Sequence, residues 1–340
     1  MELDSSKTYL VTGAAGFIGF YLVKCLLEQG CNVIGIDNVN DYYDIGLKHA
    51  RLEKLKPFKQ FTFVKGDIAD KAKVMELFAQ YKPHMVINLA AQAGIRYSID
   101  HPDAYIQSNI IGFYNILEAC RHNPVAQLVY ASSSSIYGAN KKVPFAETDF
   151  VDHPVSLYAA TKKSNELMAY TYSHLYKIPT TGLRVFTVYG PMGRPDMAYF
   201  AFTDKYFNNE PIHIFNNGDF AHDLYRDFTY IDDIVEGIMR LLEKPVELSD
   251  GVPSRVYNIG NNSPEKLMTF IETLEKCLSF SLGREVVFEK IFEPLKPGDV
   301  PATYASTDLL QAAIGFKPKT SIKDGLQKFT DWYVREYKQK

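Results

Sequence analysis

A glycine-rich turn directly after the first β-branched segment is the feature that most restricts the fold of this chain. In TGAAGFIG, the residues Gly13, Gly16 and Gly19 begin an amphipathic stretch typical of a helix. Glycine at these positions permits a tight turn, close approach of the backbone to a phosphate and close packing of the helix on the strand. The free N–H groups at the start of such a helix can bind phosphate oxygens. Taken alone, the triplet is also compatible with a strand-to-helix turn that binds nothing.

Strand and helix patterns alternate through the first 190 residues. Short β-branched runs are followed by longer amphipathic stretches, which is typical of βαβ units. We therefore predict an α/β fold with a doubly wound parallel sheet, and we expect seven strands within these residues. The expected strands include YLVT, NVIGID, FTFVKGD, MVINLA, QLVYAS and TTGLRVF, and the expected helices cover about 17–28, 70–80, 104–120 and 156–176.

The sequence texture changes after Gly190, where the segments become shorter and Asn, Gly and Pro are more frequent. We expect a Rossmann domain over 1–186 and a smaller α/β domain mainly over 187–340. Two later stretches, FTYIDDIVEGIMRLL and VYNIGNNSPEKLMTFIETL, keep a strand-then-helix pattern. Segments near 226–262 should therefore return to the first domain, so that the two domains interleave in sequence.

The second of these stretches also predicts where its helix begins. Ser263 has a side chain suited to an N-cap, and Pro264 suits the first helical position because its missing N–H is not needed there. We therefore expect this helix to start at Pro264.

An acidic residue ends the second predicted strand. Asp37 lies where a carboxylate would accept hydrogen bonds from the adenosine ribose hydroxyls of a dinucleotide and would repel a 2′-phosphate. Together with the glycine-rich turn, it favours NAD over NADP as the cofactor. Because DNVND is also turn-like, a role of Asp37 as an N-cap or turn residue is the alternative.

A tyrosine and a lysine suggest catalytic chemistry. Tyr158 and Lys162 stand four residues apart on a predicted helix, so their side chains share one face. A phenol has an unperturbed pKa near ~10, and adjacent Lys⁺ and nicotinamide charges favour the phenolate. A bare YxxxK pattern occurs by chance in many helices. With the glycine-rich turn and the upstream serine run 132–135 in this order, it predicts a hydroxyl, phenol and ammonium relay for alcohol–ketone hydride chemistry.

The ordered motifs resemble one enzyme family over nearly the whole chain. TGAAGFIG, Asp37, NLAAQAG, SSSSIYG, YAATK and RDFTYIDD look like those of the extended short-chain dehydrogenases/reductases that act on nucleotide sugars. The resemblance implies NAD as cofactor and a UDP-sugar as substrate. It assigns NAD binding to 1–186 and nucleotide-sugar binding mainly to 187–340. It also implies a homodimer in which the two long helices, 104–120 and 156–176, pair with those of a second copy.

The resemblance assigns roles to individual residues. Tyr158 is the expected base, Lys162 lowers its pKa and orients the ribose, and Ser133 hydrogen-bonds the sugar. Asp67 takes the position at the adenine edge. The implied NAD-binding residues are Gly13, Gly16, Phe17, Ile18, Gly19, Asp37, Asn38, Asp67, Ile68, Leu89, Ala90, Ala91, Asn109, Tyr158 and Lys162.

The UDP part of the substrate is assigned in the same way. Arg226 in RDFTYIDD matches an arginine that holds the diphosphate, and Asp299 in KPGDV matches a ribose-binding aspartate. Lys296 stands where several relatives have arginine, which puts that phosphate contact in doubt.

The residues after Ser133 distinguish between reactions that begin with oxidation at C4. Dehydratases that resemble this chain carry an Asp–Glu pair there and decarboxylases usually keep the Glu, whereas this chain has Ser134 and Ser135. The segments DNVNDYYDIGLKHARL, QAGIRYS and TVYGPMGRPDMA are more similar to UDP-glucuronate 4-epimerases than to UDP-galactose 4-epimerases. The predicted reaction is 4-epimerisation of UDP-glucuronate to UDP-galacturonate. The alternatives are a UDP-hexose 4-epimerase, a UDP-glucuronate decarboxylase and a non-catalytic NAD-binding protein.

A uronate substrate adds a chemical constraint. Oxidation at C4 gives a β-keto acid, which loses CO₂ when its carboxylate rotates perpendicular to the ketone plane, so an epimerase must hold the carboxylate fixed. We expect hydroxyl donors and one arginine to do so, with Thr187 as the main candidate. Arg194 has an alternative role as a loop residue paired with Asp196. The candidate contacts are Ser134, Ser135, Thr187, Arg194 and Arg96.

Composition restricts the partners and the compartment. The 37 basic and 40 acidic residues form no long run of either sign, so we expect neither a nucleic-acid nor a membrane interface. The start MELDSSKTYLV lacks a signal-peptide pattern and no apolar run is long enough to span a bilayer, so we expect a cytoplasmic protein. The four cysteines form no CxxC pair, and His153, His213 and His222 form no HxxxH or HExxH array. We therefore expect reduced thiols and no metal site.

Overall fold

The computed structural model describes residues 3–216, 218–219, 223–244, 246, 248, 250–294 and 302–338. Within these residues the strands are β1 Thr8–Thr12, β2 Asn32–Asp37, β3 Phe61–Lys65, β4 Met85–Asn88, β5 Gln127–Ser133, β6 Thr180–Val185, β7 Thr187–Tyr189, β8 Ile212–Ile214, β9 Tyr225–Tyr230, β10 Ser254–Ile259, β11 Pro264–Lys266, β12 Lys290–Phe292 and β13 Ala302–Thr303. The helices are α1 Phe17–Glu28, α2 Ile45–Leu55, α3 Lys71–Tyr81, α4 Tyr97–Asp100, α5 Pro102–Tyr105, α6 Phe113–His122, α7 Leu157–Tyr176, α8 Ala198–Phe207, α9 Ile231–Leu242, α10 Leu267–Leu282, α11 Asp308–Ile314 and α12 Ile322–Trp332.

A parallel sheet of seven strands, counted over the described residues, forms the centre in the order β3-β2-β1-β4-β5-β6-β10. The strand order reverses between β1 and β4, because the chain runs outward from β1 to β3 and then crosses back. Doubly wound sheets bind ligands beyond the carboxyl ends of their strands at such a reversal. The predicted α/β fold with a doubly wound Rossmann sheet is confirmed.

Both faces of this sheet are covered by helices. Alternate residues of a strand point to opposite faces. Val11 and Ile87 join the apolar core that contains α1 and α9, whereas Leu10 and Val86 join the core that contains α3 and α6. Burial on two sides explains why these strands are nearly continuous apolar runs in the sequence.

Seven strands, β1–β7, lie within the described part of the first 190 residues as predicted, but six of them belong to the central sheet, so the expectation that all seven form the doubly wound sheet was wrong. The chain bends at Phe186, whose N–H donates to Ile259 O at 3.1 Å. After the bend, β7 pairs with β9 in a small second sheet that also contains β11 and β13. The edge beside β6 is taken by β10, which pairs with it in parallel register. The seventh strand therefore returns from much later in the chain.

The predicted helix start at Ser263 and Pro264 was also wrong. Pro264–Lys266 is strand β11, which pairs antiparallel with β9, and α10 begins at Leu267. A proline tolerates this position because it is the first residue of a short strand. A free backbone N–H at the start of α10 is capped by a side chain distant in sequence, since Asp223 Oδ2 accepts a hydrogen bond from Met268 N at 3.0 Å. A side chain from the segment just before β9 thus replaces the local cap.

The two long helices predicted before and after β5 differ in regularity. The second is confirmed as α7, and Ser156 Oγ caps it by accepting from Ala159 N at 3.1 Å. The first is broken into α5, a π-helix at Ile106–Gly112, and α6. At Gly112 a Cβ atom would lie 2.6 Å from Ile68 Cγ1, so the chain packs there with no room for a side chain.

The four cysteines are free thiols, and Cys31, Cys120 and Cys277 are buried. No helix among the described residues combines the length and the apolar character needed to cross a membrane.

Candidate active site

A cleft of about 500 Å³ lies at the carboxyl ends of the parallel strands, where the strand order reverses. Its walls contain nearly all of the residues that the sequence proposed. These are Gly13, Gly16, Phe17, Ile18, Gly19, Asp37, Asn38, Asp67, Ile68, Leu89, Ala90, Ala91, Ser133, Ser134, Ser135, Tyr158, Lys162, Thr187, Arg194 and Arg226. Positions that are far apart in sequence therefore face one cavity.

The glycine-rich turn needs its glycines for steric reasons. Gly13 has φ +72°, and a Cβ atom there would lie 2.8 Å from Ala90 N. A Cβ atom on Gly19 would lie 2.0 Å from Gly13 O. At the start of α1, Gly16 provides no capping side chain, so the first N–H groups of the helix have no side-chain cap where they line the cleft. This arrangement suits the pyrophosphate of a dinucleotide.

Asp37 is 8% exposed, lines the cleft and has the turn role that the sequence gave as the alternative to ribose binding. Its Oδ1 accepts a hydrogen bond from Val39 N at 2.8 Å, as a turn residue would, and its Oδ2 accepts one from Ala15 N at 3.1 Å. A carboxylate has about four acceptor positions, so two remain for the hydroxyls of a ribose. Beside it, Asn38 Nδ2 donates to Asp67 Oδ2 at 2.8 Å, which fixes the rim of the cleft. The residues present therefore fit NAD.

Lys162 is only 4% exposed, and its Nζ donates to Ala131 O at 2.8 Å. Burial lowers the pKa of the Lys162 ammonium to about 8. Burial raises the pKa of the Tyr158 phenol, while its hydrogen bond with Ser133 and the charge of Arg194 oppose that rise. Within the protein itself, the groups that favour the phenolate are thus Ser133 and Arg194, whereas the sequence argument named Lys162.

The serine strand is fixed by an ion pair that the sequence analysis missed. Arg184 Nε and Nη2 donate to the two carboxylate oxygens of Glu166 at 2.9 and 3.0 Å. Ser132 Oγ donates to the same carboxylate at 2.7 Å. Glu166 lies in α7 two turns after Tyr158, so the network fixes the catalytic helix against β5 and β6. A signal was present, because Glu166 continues the i, i+4 series of Tyr158 and Lys162.

Arg194 lies in the cleft lining and also forms the pair with Asp196 that the sequence offered as its alternative role. The guanidinium lines the cleft, and its Nε donates to Asp196 Oδ1 at 3.0 Å while Nη2 bonds the second oxygen of that carboxylate. The neighbouring guanidinium holds the pKa of the Asp196 carboxyl below its usual value in spite of burial. Tyr42 Oη donates to Asp196 as well, at 3.3 Å. The pair fixes the guanidinium plane and leaves N–H groups of Arg194 for a ligand.

The structure places two of the proposed residues, Arg96 and Asn109, away from the cleft walls. Arg96 is exposed, with its guanidinium over the Phe215 ring at 5.0 Å, and it does not belong to the cleft lining. Asn109 is buried behind the wall, where its Nδ2 donates to Gln92 O and Thr161 Oγ1 at 3.0 Å. Asp299 lies outside the described residues, as do Lys296 and His222.

Thr187 and Arg226 line the cleft from β7 and β9. Arg226 Nη1 donates to Tyr225 O at 2.8 Å. Because β7 and β9 are neighbouring parallel strands, Thr187 and Arg226 lie on the same face of the small sheet. This face is the one toward the crevice of the central sheet. The pairing could not be derived from the sequence, since 35 residues, 190–224, separate the strands along the chain.

Basic residues of α2 were missed as well. Lys48 lines the cleft and is 5% exposed, and its Nζ donates to Asn40 Oδ1 at 2.6 Å. Burial lowers the pKa of the Lys48 ammonium. In the sequence analysis, the segment DNVNDYYDIGLKHARL served only as a similarity to UDP-glucuronate 4-epimerases, and it did not indicate that Lys48 would line the cleft. The described residues contain no group of three or more His, Cys, Asp and Glu side chains placed to hold a metal ion.

Comparison with known proteins agrees with this geometry. The model of the NAD dependent epimerase/dehydratase family matches residues 9–260. The chain belongs to this family. It is an NAD-dependent enzyme of the epimerase type with the extended short-chain dehydrogenase/reductase fold, as its motifs predicted.

Two relatives are similar to this chain over almost their whole length. It is 53% identical to Protein CapI of Staphylococcus aureus, covering 97% of this chain and 99% of that protein. It is 47% identical to a probable UDP-glucuronate 4-epimerase of Rhizobium meliloti, covering 97% of this chain and 98% of that protein. The crystal structure of UDP-glucuronic acid 4-epimerase from Bacillus cereus, in complex with UDP-glucuronic acid and NAD, superposes with a TM-score of 0.86 at 32% identity, covering 97% of this chain and 100% of that chain.

Proposed function

We propose that the protein interconverts UDP-glucuronate and UDP-galacturonate by NAD-dependent epimerisation at C4. The observation that carries the proposal is the cleft itself, in which Tyr158 and Ser133 adjoin two further serine hydroxyls and the charge of Arg194. A relay for oxidation at C4 thus lies beside groups suited to a carboxylate. The near full-length similarity to UDP-glucuronate 4-epimerases supports the same substrate.

The protein's own residues move one proton. The glycine-rich turn, Asp37 and Lys162 would hold NAD⁺, which would supply reversible hydride transfer at C4 of the sugar and so allow inversion there. Tyr158 accepts the proton of the C4 hydroxyl as the C4 ketone forms and gives it back when the alcohol is restored. Ser133 orients that hydroxyl through its hydrogen bond with Tyr158. No proton is gained or lost in a full cycle, so one phenol is sufficient.

The carboxylate has to be held during the lifetime of the ketone. Arg194 supplies charge, and its pairing with Asp196 keeps the guanidinium in one orientation. Ser134, Ser135 and Thr187, which also line the cleft, supply neutral donors. Contacts from several sides keep the C5–C6 bond out of alignment with the carbonyl, which suppresses loss of CO₂.

The nucleotide is bound at the far end of the cleft. Arg226, which lines this end, is proposed to hold the UDP diphosphate, and residues 187–340 form most of the nucleotide-sugar domain. Residues 1–186, together with returning segments near 226–262, form the NAD-binding domain. Asp299 keeps its proposed role at the uridine ribose on the resemblance alone.

A homodimer is part of the proposal. Leu167 and Tyr170 on α7 are 58% and 46% exposed, and Ile111 and Tyr114 on the adjacent helix are 39% and 37% exposed. Two copies of these helices would cover one another's apolar side chains. Light scattering after size-exclusion chromatography measures the mass directly, and a monomer at micromolar concentration would contradict this. Free thiols at all four cysteines are compatible with a cytoplasmic location, which we also propose.

The test is NMR analysis of purified protein incubated, without added NAD⁺, with UDP-glucuronate and separately with UDP-glucose. We expect UDP-galacturonate from the first and no comparable product from the second, since a neutral sugar leaves the carboxylate contacts unused. UDP-galactose as main product would instead favour a UDP-hexose epimerase, and a UDP-pentose with CO₂ would favour a decarboxylase. No turnover in spite of bound NAD would favour a non-catalytic NAD-binding protein.

A further inference from the structure

Arg51 in α2 has no exposed surface, yet all five of its N–H donors have oxygen partners. Its Nε and Nη2 donate to Met192 O at 3.1 and 2.7 Å, and Nη2 also donates to Gly193 O at 3.1 Å. Its Nη1 donates to Ala15 O at 2.8 Å and to Tyr43 Oη at 2.6 Å. The guanidinium therefore joins two loops that are distant in sequence.

The partners of Arg51 are neutral. Among the described residues it forms no ion pair with a carboxylate, so the buried charge is compensated by carbonyl and hydroxyl dipoles and by the Tyr43 ring, whose centroid lies 5.5 Å from Cζ. Burying a charge in this way is costly, and apolar side chains can fill such a site at lower cost. A planar guanidinium can, however, bind several carbonyls in one plane, which neither an apolar side chain nor a lysine can do.

The two loops have distinct functions. Ala15 belongs to the glycine-rich turn, and Gly193 immediately precedes Arg194. In α1, Tyr21 Oη donates to Pro191 O at 3.0 Å, so three consecutive carbonyls, those of residues 191–193, are bound by side chains of α1 and α2. Met192 has φ +53°, a conformation that non-glycine residues seldom adopt without outside support.

We propose that Arg51 is a positioning residue that holds the loop carrying Arg194 at a fixed distance from the glycine-rich turn. Arg51 lies behind the cleft wall and acts through backbone carbonyls. Its effect on the product rests on the proposed function, in which Arg194 restrains the substrate carboxylate. If the loop moves, the carboxylate can rotate. The C5–C6 bond then breaks, its electron pair passes into the C4 carbonyl as an enolate, CO₂ leaves, and a solvent proton at C5 gives the 4-keto-pentose.

The test compares the full-length protein with Arg51→Lys, which keeps the charge but has three donors in place of five. Arg240→Lys is the matched control, because Arg240 lies on α9 and pairs with Glu236 at the surface. Hydrogen-exchange mass spectrometry follows the amides of residues 190–197. We expect Arg51→Lys to raise their exchange rate at least about tenfold, which corresponds to about 1.4 kcal/mol, and Arg240→Lys to leave it unchanged.

Products of UDP-glucuronate turnover supply the second readout. In Arg51→Lys the ratio of decarboxylated pentose to UDP-galacturonate should rise at least about tenfold, and NADH should accumulate on the enzyme. If the amides of residues 190–197 exchange in Arg51→Lys at the same rate as in the wild type, the proposal is overturned. Faster exchange with an unchanged product ratio would support the positioning role and count against the carboxylate contact of Arg194. If the wild type converts no uronate, the exchange measurement still decides the role of Arg51.

A second variant covers the case in which Arg51→Lys does not fold. Tyr21→Phe conserves volume and charge but frees Pro191 O in the same loop. We expect exchange of residues 190–197 to rise about threefold. An exchange rate in Tyr21→Phe equal to that of the wild type would overturn the view that side chains of α1 and α2 hold this loop.

Discussion

The buried pair of Glu166 and Arg184 should be a principal support of the catalytic helix. These side chains are 6% and 4% exposed, and the guanidinium contacts the carboxylate through two hydrogen bonds of 2.9 and 3.0 Å. Replacing Glu166 by Ala leaves a buried guanidinium without this counter-charge and Ser132 Oγ without its acceptor. Removing one partner of such a pair costs about 3–5 kcal/mol.

Two further variants separate the charge from the packing. Glu166→Gln keeps one acceptor oxygen and the side-chain shape, so its loss should be about 1–3 kcal/mol, the cost of a buried donor left without a partner. The double variant Glu166→Met/Arg184→Met replaces the pair by apolar side chains. The free energy of unfolding that it loses should be smaller, by about 2 kcal/mol, than the sum of the losses measured for Glu166→Met alone and Arg184→Met alone, because neither charge is then left without its partner.

Unfolding in guanidinium chloride, followed by circular dichroism and by fluorescence of Trp332, measures these free energies. Trp332 is the one tryptophan of the chain and is 8% exposed, so its emission should change on unfolding. Lys54→Ala, which removes an exposed pair with Glu336, is the control and should cost less than about 1 kcal/mol. A loss below about 1 kcal/mol for Glu166→Ala, or additive losses in the double variant, would refute the reasoning.

Three other outcomes are expected. Burial lowers the pKa of Lys162 to about 8 from 10.5, so above pH 8 the unfolded chain binds more protons and stability rises with pH. Between pH 7.5 and 9.5 the free energy of unfolding should rise by about 2 kcal/mol more in the wild type than in Lys162→Met, and equal slopes would contradict the low pKa. Tyr158→Phe should lower kcat at least about hundredfold while circular dichroism and NAD content are retained, and an active variant would exclude Tyr158 as the base. Asp223→Ala should lower the free energy of unfolding by about 1 kcal/mol through loss of its bond to Met268 N, whereas Ser263→Ala should change it by less than about 0.5 kcal/mol. The reverse order in denaturation experiments would restore Ser263 as the helix cap.

The sequence was sufficient where function depends on neighbours along the chain. Gly13, Gly16 and Gly19 form one turn, and Tyr158 and Lys162 share one helix face because a helix brings residues i and i+4 together. The alternation of strands and helices predicted the doubly wound sheet, since parallel strands need helical crossovers. Short-range geometry of this kind is repeated wherever the same pattern occurs.

Pairings between segments that are distant along the chain could not be predicted from the sequence. Nothing local in SRVYNI indicated that β10 would join β6, and Ser263–Pro264 had the signature of a helix start although pairing with β9 makes Pro264–Lys266 a strand. In both cases the hydrogen bonds of a neighbouring strand decided the conformation, because strand pairing is satisfied by residues far along the chain.

The sequence by itself therefore determined the Rossmann fold, the glycine-rich turn and the placement of Tyr158 and Lys162 on one helix face. Only the tertiary structure decided which charged groups surround them. Arg51 and its acceptor Met192 are separated by 141 residues, and the environment of Arg194 depends on Asp196 together with Tyr42 from another segment. The periodicity of apolar residues indicates which face of a helix or strand is buried. The partner of a buried charge depends instead on how distant segments pack, and the separation of two segments in sequence does not indicate their distance in space.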